Sequence, residues 1–361
     1  MSNLLPWHPR RLNDEILSSW MLRIAAGNDL SVRRLCGWLG DDQPVRALDW
    51  MAHTNPLIDS IAEAVGAEKE QVMECLPSSL HGLSRTLVYR PGRASPIPWR
   101  LWQGSLDRNM GNQYCPTCLR ETGHHQLPWP IAIYTCCLSH NCFLRESCPH
   151  CGKPFQGASR FLNSDFVNPA KDLQRCAYCN RSVVNYAPSE RADKKTLRLS
   201  HVLGSLVRKS SCDNFFGVLA RLLYVMCRPS ALAEDLRSQM LPDSHQITSR
   251  HRSGAPMYFE YLDVKSRAYM LQAVVSLFAD WPDYLIETLR STNQLHHLLL
   301  FKDLPSWYER AERVAMIRSS KPNPSERDKL LHVAIRQGWI TAVQFAEETR
   351  NTADFLHARS V

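Results

Sequence analysis

The sequence predicts a mainly α-helical protein interrupted by a small cysteine-rich block. Three observations carry that reading. Outside the centre, apolar residues recur every three to four positions, the period of a helix with one buried face. Nine of the thirteen cysteines fall between Cys115 and Cys179. Few segments outside that block alternate like strands. The chain has 361 residues, 44% of them apolar, 22% charged, with a formal charge of +8. That length suits two or three domains, and that composition excludes global disorder. No stretch approaches the ~18 uninterrupted apolar residues of a membrane span. The opening MSNLLPWHPRRLNDE has no charged n-region followed by an apolar h-region, so it does not read as a secretory leader. The expected location is the cytoplasm, where thiols stay reduced and thirteen cysteines are not disulfides.

The first predicted helix begins near Asn13 or Asp14, either of which can cap it. Ile16, Leu17, Trp20, Met21, Ile24 and Ala25 form its buried face. On that face Trp20 reads as core; Arg23, on the same helix, reads as one half of a local ion pair. A short helix follows from Leu30 to Leu39, closed by Gly40. Pro56 to Val65 and Glu68 to Leu76 make two more, joined by Gly66-Ala67. Helix, glycine turn, helix is the helix-turn-helix outline, which an ordinary helical hairpin also fits.

Residues 77–105 are an irregular connector broken by Pro77, Gly82, Pro91, Gly92, Pro96 and Pro98. It holds Arg85, Arg90, Arg93 and Arg100, with no acid from Cys75 to Leu106. Arginines in an irregular segment face solvent or a partner, either phosphate or an acidic protein surface. Helical periodicity returns after residue 190, over Leu197–Val207, Phe215–Met226, Ala231–Met240, Tyr269–Phe278, Tyr284–Leu289, Leu295–Leu300 and Ser306–Ile317. Glu326–Arg336 and Thr341–Glu348, separated by Gly338, make a second helix-turn-helix candidate.

The central block contains four half-sites with two-residue spacers: Cys115–Cys118, Cys137–His140, Cys148–Cys151 and Cys176–Cys179. Such a spacer lets both donors of one turn face the same ion. Chain order groups Cys115, Cys118, Cys137 and His140 into a three-Cys, one-His site. Cys148, Cys151, Cys176 and Cys179 then form a four-Cys site. The loops joining the pairs have 18 and 24 residues. An interleaved, cross-braced pairing fits the spacing equally. So does Cys136 in place of Cys137, with a three-residue spacer to His140. Cys136 and Cys142 otherwise read as packing residues, and His124, His125 and His150 as surface groups. Two structural zinc ions per chain are the expected cofactors. A catalytic zinc would keep an open position; here four protein donors close each site. Seven thiolates and two dications lower the formal charge by three, from +8 to about +5. That weakens any general electrostatic grip on nucleic acid.

The expected organisation follows. Residues 1–106 form an N-terminal helix-turn-helix-like domain with its Arg/Pro-rich connector. Residues 107–190 form a two-zinc domain of double ribbon or knuckle type with short strands. Residues 191–361 form a C-terminal helical domain. The sequence has no Walker loop, no G-x-G-x-x-G, no G-x-S-x-G and no two-metal carboxylate constellation. The expectation is a binding protein, not an enzyme.

The run Asp14-Glu15-Ile16-Leu17-Ser18-Ser19-Trp20-Met21-Leu22-Arg23-Ile24-Ala25-Ala26-Gly27-Asn28 resembles the opening of the TniQ family. There an acidic residue precedes a Leu-Ser-Ser-Trp-like helix and an Arg-x-Ala-x-x-Asn segment. Tyr114-Cys115-Pro116-Thr117-Cys118-Leu119, Cys137-Leu138-Ser139-His140 and Cys148-Pro149-His150-Cys151-Gly152 are similar to the passages that follow, and Cys176 and Cys179 close the pattern. The resemblance covers residues 5–185. It implies a target-selection protein of transposons whose DDE transposase is controlled by an AAA+ ATPase. Some members bind an attachment sequence directly. Others sit, often as a dimer, on an RNA-guided Cascade complex and mark its target. The length and helical C-terminal region resemble the longer kind. The resemblance thus implies DNA, an AAA+ ATPase and a Cascade with guide RNA as partners of a homodimer. The alternative it allows is a site-specific DNA-binding protein reading its own site through helix-turn-helix pairs.

Overall fold

A computed structural model describes residues 4–40, 55–80, 112–158, 167–186, 189–208, 213–227 and 262–278, with a few isolated positions beyond 230. The connector arginines Arg85, Arg90, Arg93 and Arg100 lie outside the described residues. So do the expected helices at Ala231–Met240 (but for two positions), at Leu295–Leu300, and onward to the second helix-turn-helix candidate. The described residues are mainly helical, with one two-stranded ribbon. None of their helices is long and apolar enough to cross a membrane.

The chain divides into two compact units. In the first, the described residues up to Leu80 cluster with those from 112 to Arg191.

Helix α1 spans Leu17–Gly27. Its cap differs from the expectation: Ile16 is the N-cap and no side chain bonds the first turn. Asn13 and Asp14 instead form a turn, with Asp14 at φ 53°, a left-handed conformation that Asp tolerates. Helix α2, Val32–Trp38, is capped by the Ser31 side chain, which accepts from Arg34 N. Helix α3 is Pro56–Val65. Asn55 caps it, proline occupies its first turn, and Gly66 ends it at φ 63°. Helix α4, Lys69–Met73, is shorter than the expected Glu68–Leu76 because the chain turns at Glu74 and enters a 3₁₀ turn at Pro77–Ser79. Leu17, Trp20, Met21, Ile24, Leu35, Ile58, Ile61, Val72 and Leu76 pack into one core. The scattered cysteines Cys36 and Cys75 lie within it as small apolar side chains.

A buried charge pair ties the segment before α1 to that helix. Glu15 is fully buried. One carboxylate oxygen accepts from Ser19 Oγ at 3.2 Å and Arg23 Nε at 2.9 Å. The other accepts from Arg23 Nη2 at 2.6 Å and Leu12 N at 2.9 Å. Arg23 Nη2 also donates to the Arg10 carbonyl at 2.9 Å. Trp20 is 1% exposed, and its Nε1 donates to the Pro9 carbonyl at 2.8 Å. Asn28 closes the far end of the helix by accepting from Trp7 N and donating to Trp7 O. Gly27 is required there, since a Cβ would stand 1.8 Å from the Trp7 ring.

Residues 13–16 then pair with 124–127. Ile16 N donates to the His125 carbonyl at 3.0 Å, Leu127 N to the Asp14 carbonyl at 2.6 Å, and His125 N to Ser19 Oγ at 3.2 Å. His124 and His125 are thereby only 4% and 5% exposed. The surface reading of these two fails, because backbone pairing draws both inside. His150 is exposed, as expected.

The first unit also holds α5 (Pro116–Thr122) and α6 (Pro169–Asp172). The second unit contains α7 (Lys194–Val207), α8 (Asp213–Cys227) and α9 (Val264–Ser276), with α9 packed on both α7 and α8. All three start earlier than the apolar periodicity indicates; Asp193 and Asp263 cap α7 and α9 through Thr196 N and Ser266 N. Gln272 Nε2 bonds Thr196 Oγ1 at 2.6 Å. The buried Phe215 ring meets Phe216 edge-on and Phe278 at a tilt, with centroids 5.3 Å apart in both pairs.

Arg23→Ala strands the Glu15 carboxylate in the core. The expected loss is ~3–5 kcal/mol, the scale for breaking a buried pair from one side. Chemical denaturation of the full chain measures it. Adding Glu15→Gln should recover part of the loss, because the stranded charge is gone.

Candidate metal centres

Two groups of donor atoms form in the cysteine block. Cys115, Cys118, Cys137 and His140 make one, and Cys148, Cys151, Cys176 and Cys179 the other; within each, the donor atoms lie within 4.8 Å of one another. Cys136 belongs to neither.

The first centre is assembled from a helix start and a hairpin. Cys115 is the N-cap of α5, Pro116–Thr122, and Cys118 lies in its first turn. Cys137 ends strand β1, Cys136–Cys137, which pairs antiparallel with β2, Cys142–Phe143. His140 sits in the turn between them, where Asn141 takes φ 51°. Successive strand side chains point to opposite faces. Cys137 faces the other donors, and Cys136 contacts Thr135 Oγ1 at 3.8 Å instead.

The second centre is built from two copies of one turn. Cys148 N donates to the Lys153 carbonyl at 2.8 Å, and Cys176 N to the Arg181 carbonyl at 2.9 Å. His150 N and Tyr178 N each point at the first sulfur of their pair, both at 3.4 Å. Each turn closes in a left-handed residue, Gly152 at φ 68° and Asn180 at φ 55°. Asn is among the few other residues that tolerate this conformation, so the second copy lacks the glycine that marks the first. His150 Nε2 meets the Ser182 carbonyl at 2.9 Å, and Gln156 Nε2 meets Tyr178 Oη at 3.4 Å. Each knuckle tip thus reaches the segment leaving the other.

Tyr114 joins the two centres. Its backbone exchanges two hydrogen bonds with Arg145, both 2.8 Å. Its hydroxyl donates to the Ser147 carbonyl at 3.1 Å and its ring lies 4.2 Å from that of Phe155. Burial pushes its ionisation above the usual tyrosine range.

The donor spacing fits zinc. A tetrahedral ion with Zn–S bonds of ~2.3 Å puts its sulfurs ~3.8 Å apart, and a sulfur and an imidazole nitrogen ~3.6 Å apart. Cys118 and Cys137 are 3.5 Å apart; Cys148 and Cys179 are 3.7 Å apart, and Cys151 and Cys176 are 3.6 Å apart. His140 Nδ1 lies 3.5, 3.2 and 3.5 Å from the sulfurs of Cys115, Cys118 and Cys137. On the other side of the ring, Nε2 is 3.1 Å from Glu121 Oε2. The sequence reading missed Glu121. Its signal was position: it follows Cys118 by three on α5 and so shares a helix face.

The thiols titrate against each other. The bond from Cys118 brings Cys115 down to about 7. The contacts from Cys115 and Cys118 hold Cys137 lower still, while Cys118 is pushed up by its contacts with Cys115 and Cys137. In the second centre, the Arg181 amide brings Cys179 down to about 7, and burial pushes Cys148 up to about 12. Burial and the shared thiol contacts hold thiols of each group above their usual range. A dication bound among them would favour the thiolates. Cys142 Sγ lies 3.9 Å from Cys115 Sγ, outside the four-donor group.

Residues 6–144 match the family model of TniQ. The chain carries a TniQ domain. The family is one of transposition-associated proteins. The matched stretch contains the Glu15–Arg23 pair and all four donors of the first centre, and ends before the second. No curated protein matches the chain.

Elemental analysis of the purified TniQ-domain chain should give two zinc per chain. Cys118→Ser and Cys148→Ser should each remove one ion and lower stability, since binding energy in such sites is folding energy.

His125 gives a pH dependence. Its ring lies between Trp129 and Phe155, and Nδ1 accepts from Ala158 N. Burial first, and then His124, pulls its pKa from 6.5 to about 3. Above pH 6.5 the ring is neutral in both folded and unfolded chains and adds no slope. As pH falls from 6.5 toward 3 only the unfolded chain takes the proton, so stability declines. Relative to His125→Asn, the parent should lose ~1.4 kcal/mol per pH unit below that point. Paired denaturation at pH 7.5 and 5.5 checks this.

Proposed function

We propose that this protein is a non-catalytic target-selection adaptor of a transposon, linking a target-recognition complex to an AAA+ ATPase that controls the transposase. The observation that carries this reading is the TniQ match over residues 6–144. It is supported by two donor groups that each supply four protein ligands, the arrangement of a structural ion. In this reading both ions are zinc. The 1–106, 107–190 and 191–361 segments act as partner-binding, stapling and partner-binding regions. The recognition complex is an RNA-guided Cascade, and the adaptor works as a homodimer.

The competing reading is direct recognition of a DNA site through the α3–α4 pair. The surface of α4 disfavours it. Glu68 and Glu70 are exposed around this helix, while Glu74 is paired with Arg11 and the nearby Lys69 with Asp59. An acidic helix approaches phosphate at a cost. A direct reader would prefer one duplex by ~10³-fold or more over non-specific DNA. The adaptor is expected to bind every duplex weakly and to lose that binding as salt rises.

The connector supplies the functional test. Arg90→Glu with Arg93→Glu should leave zinc content and melting temperature unchanged and reduce targeted insertion in a reconstituted transposition assay. Unchanged insertion at physiological salt would make the connector a solvated linker. A sequence preference of the direct-reader size would overturn the adaptor reading.

A further inference from the structure

His140 is held from both sides. Its Nδ1 faces the three sulfurs of the first centre at 3.2–3.5 Å. Its Nε2 faces Glu121 Oε2 at 3.1 Å. A neutral imidazole carries one hydrogen, on either nitrogen, and the nitrogen without it supplies the lone pair to a metal. Left alone, a histidine in a hairpin turn can bind through either nitrogen or swing away. Here the carboxylate can accept only from a nitrogen that bears hydrogen. That places the hydrogen on Nε2 and the lone pair on Nδ1, toward the sulfurs.

Glu121 is set up for this by the fold. It lies on α5 one turn beyond Cys118, so the helix that delivers one donor also delivers the acceptor for another. Gly123, at φ 69°, ends the helix just beyond it. Its side chain is 56% exposed. As a plain surface pair it would contribute little to stability. Its leverage is over the orientation of a ring already committed to the cluster.

We propose that Glu121 is a positioning residue of the first centre, holding His140 in the Nδ1-ligating tautomer through a hydrogen bond from Nε2. The assignment rests on the zinc reading above. Partners of this kind commonly change metal affinity by ~10–100-fold when removed.

The test uses the full chain loaded with zinc and a chromophoric chelator in excess. Release from the parent should follow two phases of one ion each. Glu121→Ala should accelerate one phase by ~10–100-fold and leave the other unchanged. Glu121→Gln retains an acceptor oxygen and should release at a rate closer to the parent. In a His140→Cys background no imidazole remains to orient, so adding Glu121→Ala should change nothing. Long-range proton–nitrogen correlations should show His140 with its hydrogen on Nε2 in the parent. A two-zinc parent with a Glu121→Ala variant that releases at the parental rate overturns this assignment alone. So does equal acceleration in the His140→Cys background, which would mark Glu121 as merely structural. A parent that takes up no zinc overturns the zinc reading, and the assignment with it.

Discussion

A carboxylate with no access to water must find its hydrogen bonds inside the protein, and the first unit is organised around that requirement. Glu15 carries the charge. Ionised carboxylates cost several kcal/mol to bury and regain that only when paired and fully bonded. Each group that satisfies Glu15 fixes a different piece of chain. The Leu12 amide fixes the segment before α1. Arg23 brings in the Arg10 carbonyl. Ser19 also accepts from the His125 amide, which draws residues 124–127 onto the start of α1. A single buried charge thereby orients the leading arm, the first helix and the entry to the cysteine block.

The donor groups solve a different problem. The described residues between 112 and 186 have only short elements around them: helices of seven and four residues and a ribbon of two-residue strands. Short strands and single helical turns do not stand alone in water. Side-chain packing compensates in part, with Tyr114, Leu119, Phe155 and Val183 buried. The four-donor groups bring together segments distant in the chain. The first group unites a helix start with a hairpin turn, and the second unites two copies of one knuckle.

Features set by local chemistry were legible in the sequence. Pro56 to Val65 was bounded correctly because a capping Asn, a first-turn Pro and a terminal Gly bracket it. The donor groups followed from two-residue spacers, since reach from one turn is a local property. Trp20 was readable from helical phase. What depends on distant pairing was not. The burial of His124 and His125 comes from hydrogen bonds across more than a hundred residues. The start of α1 was set by an extended pairing that competed with Asn13 and Asp14 as caps. Glu121 was hidden because a carboxylate one turn from a cysteine is unremarkable until a histidine from another loop arrives beside it. The early starts of α7 and α9 lie with capping aspartates that apolar periodicity does not register.

The same contacts bear on what the N-terminal signature is for. Glu15, Ser19, Trp20, Arg23 and Asn28 belong to the stretch that resembles the TniQ opening. In the structure their polar atoms are spent on one another, on the backbone of the leading arm, or on the His125 amide. A side chain so engaged has little left to offer a partner without unmaking the fold. The signature therefore specifies how the domain folds, and recognition of partners falls to residues it leaves free. That separates two kinds of functional loss. Changes within the signature act through stability, and the size of the defect follows the lost free energy. Changes on exposed groups, such as Trp38, 55% exposed, leave the fold standing. An insertion defect therefore identifies a contact only when the melting curve is unmoved.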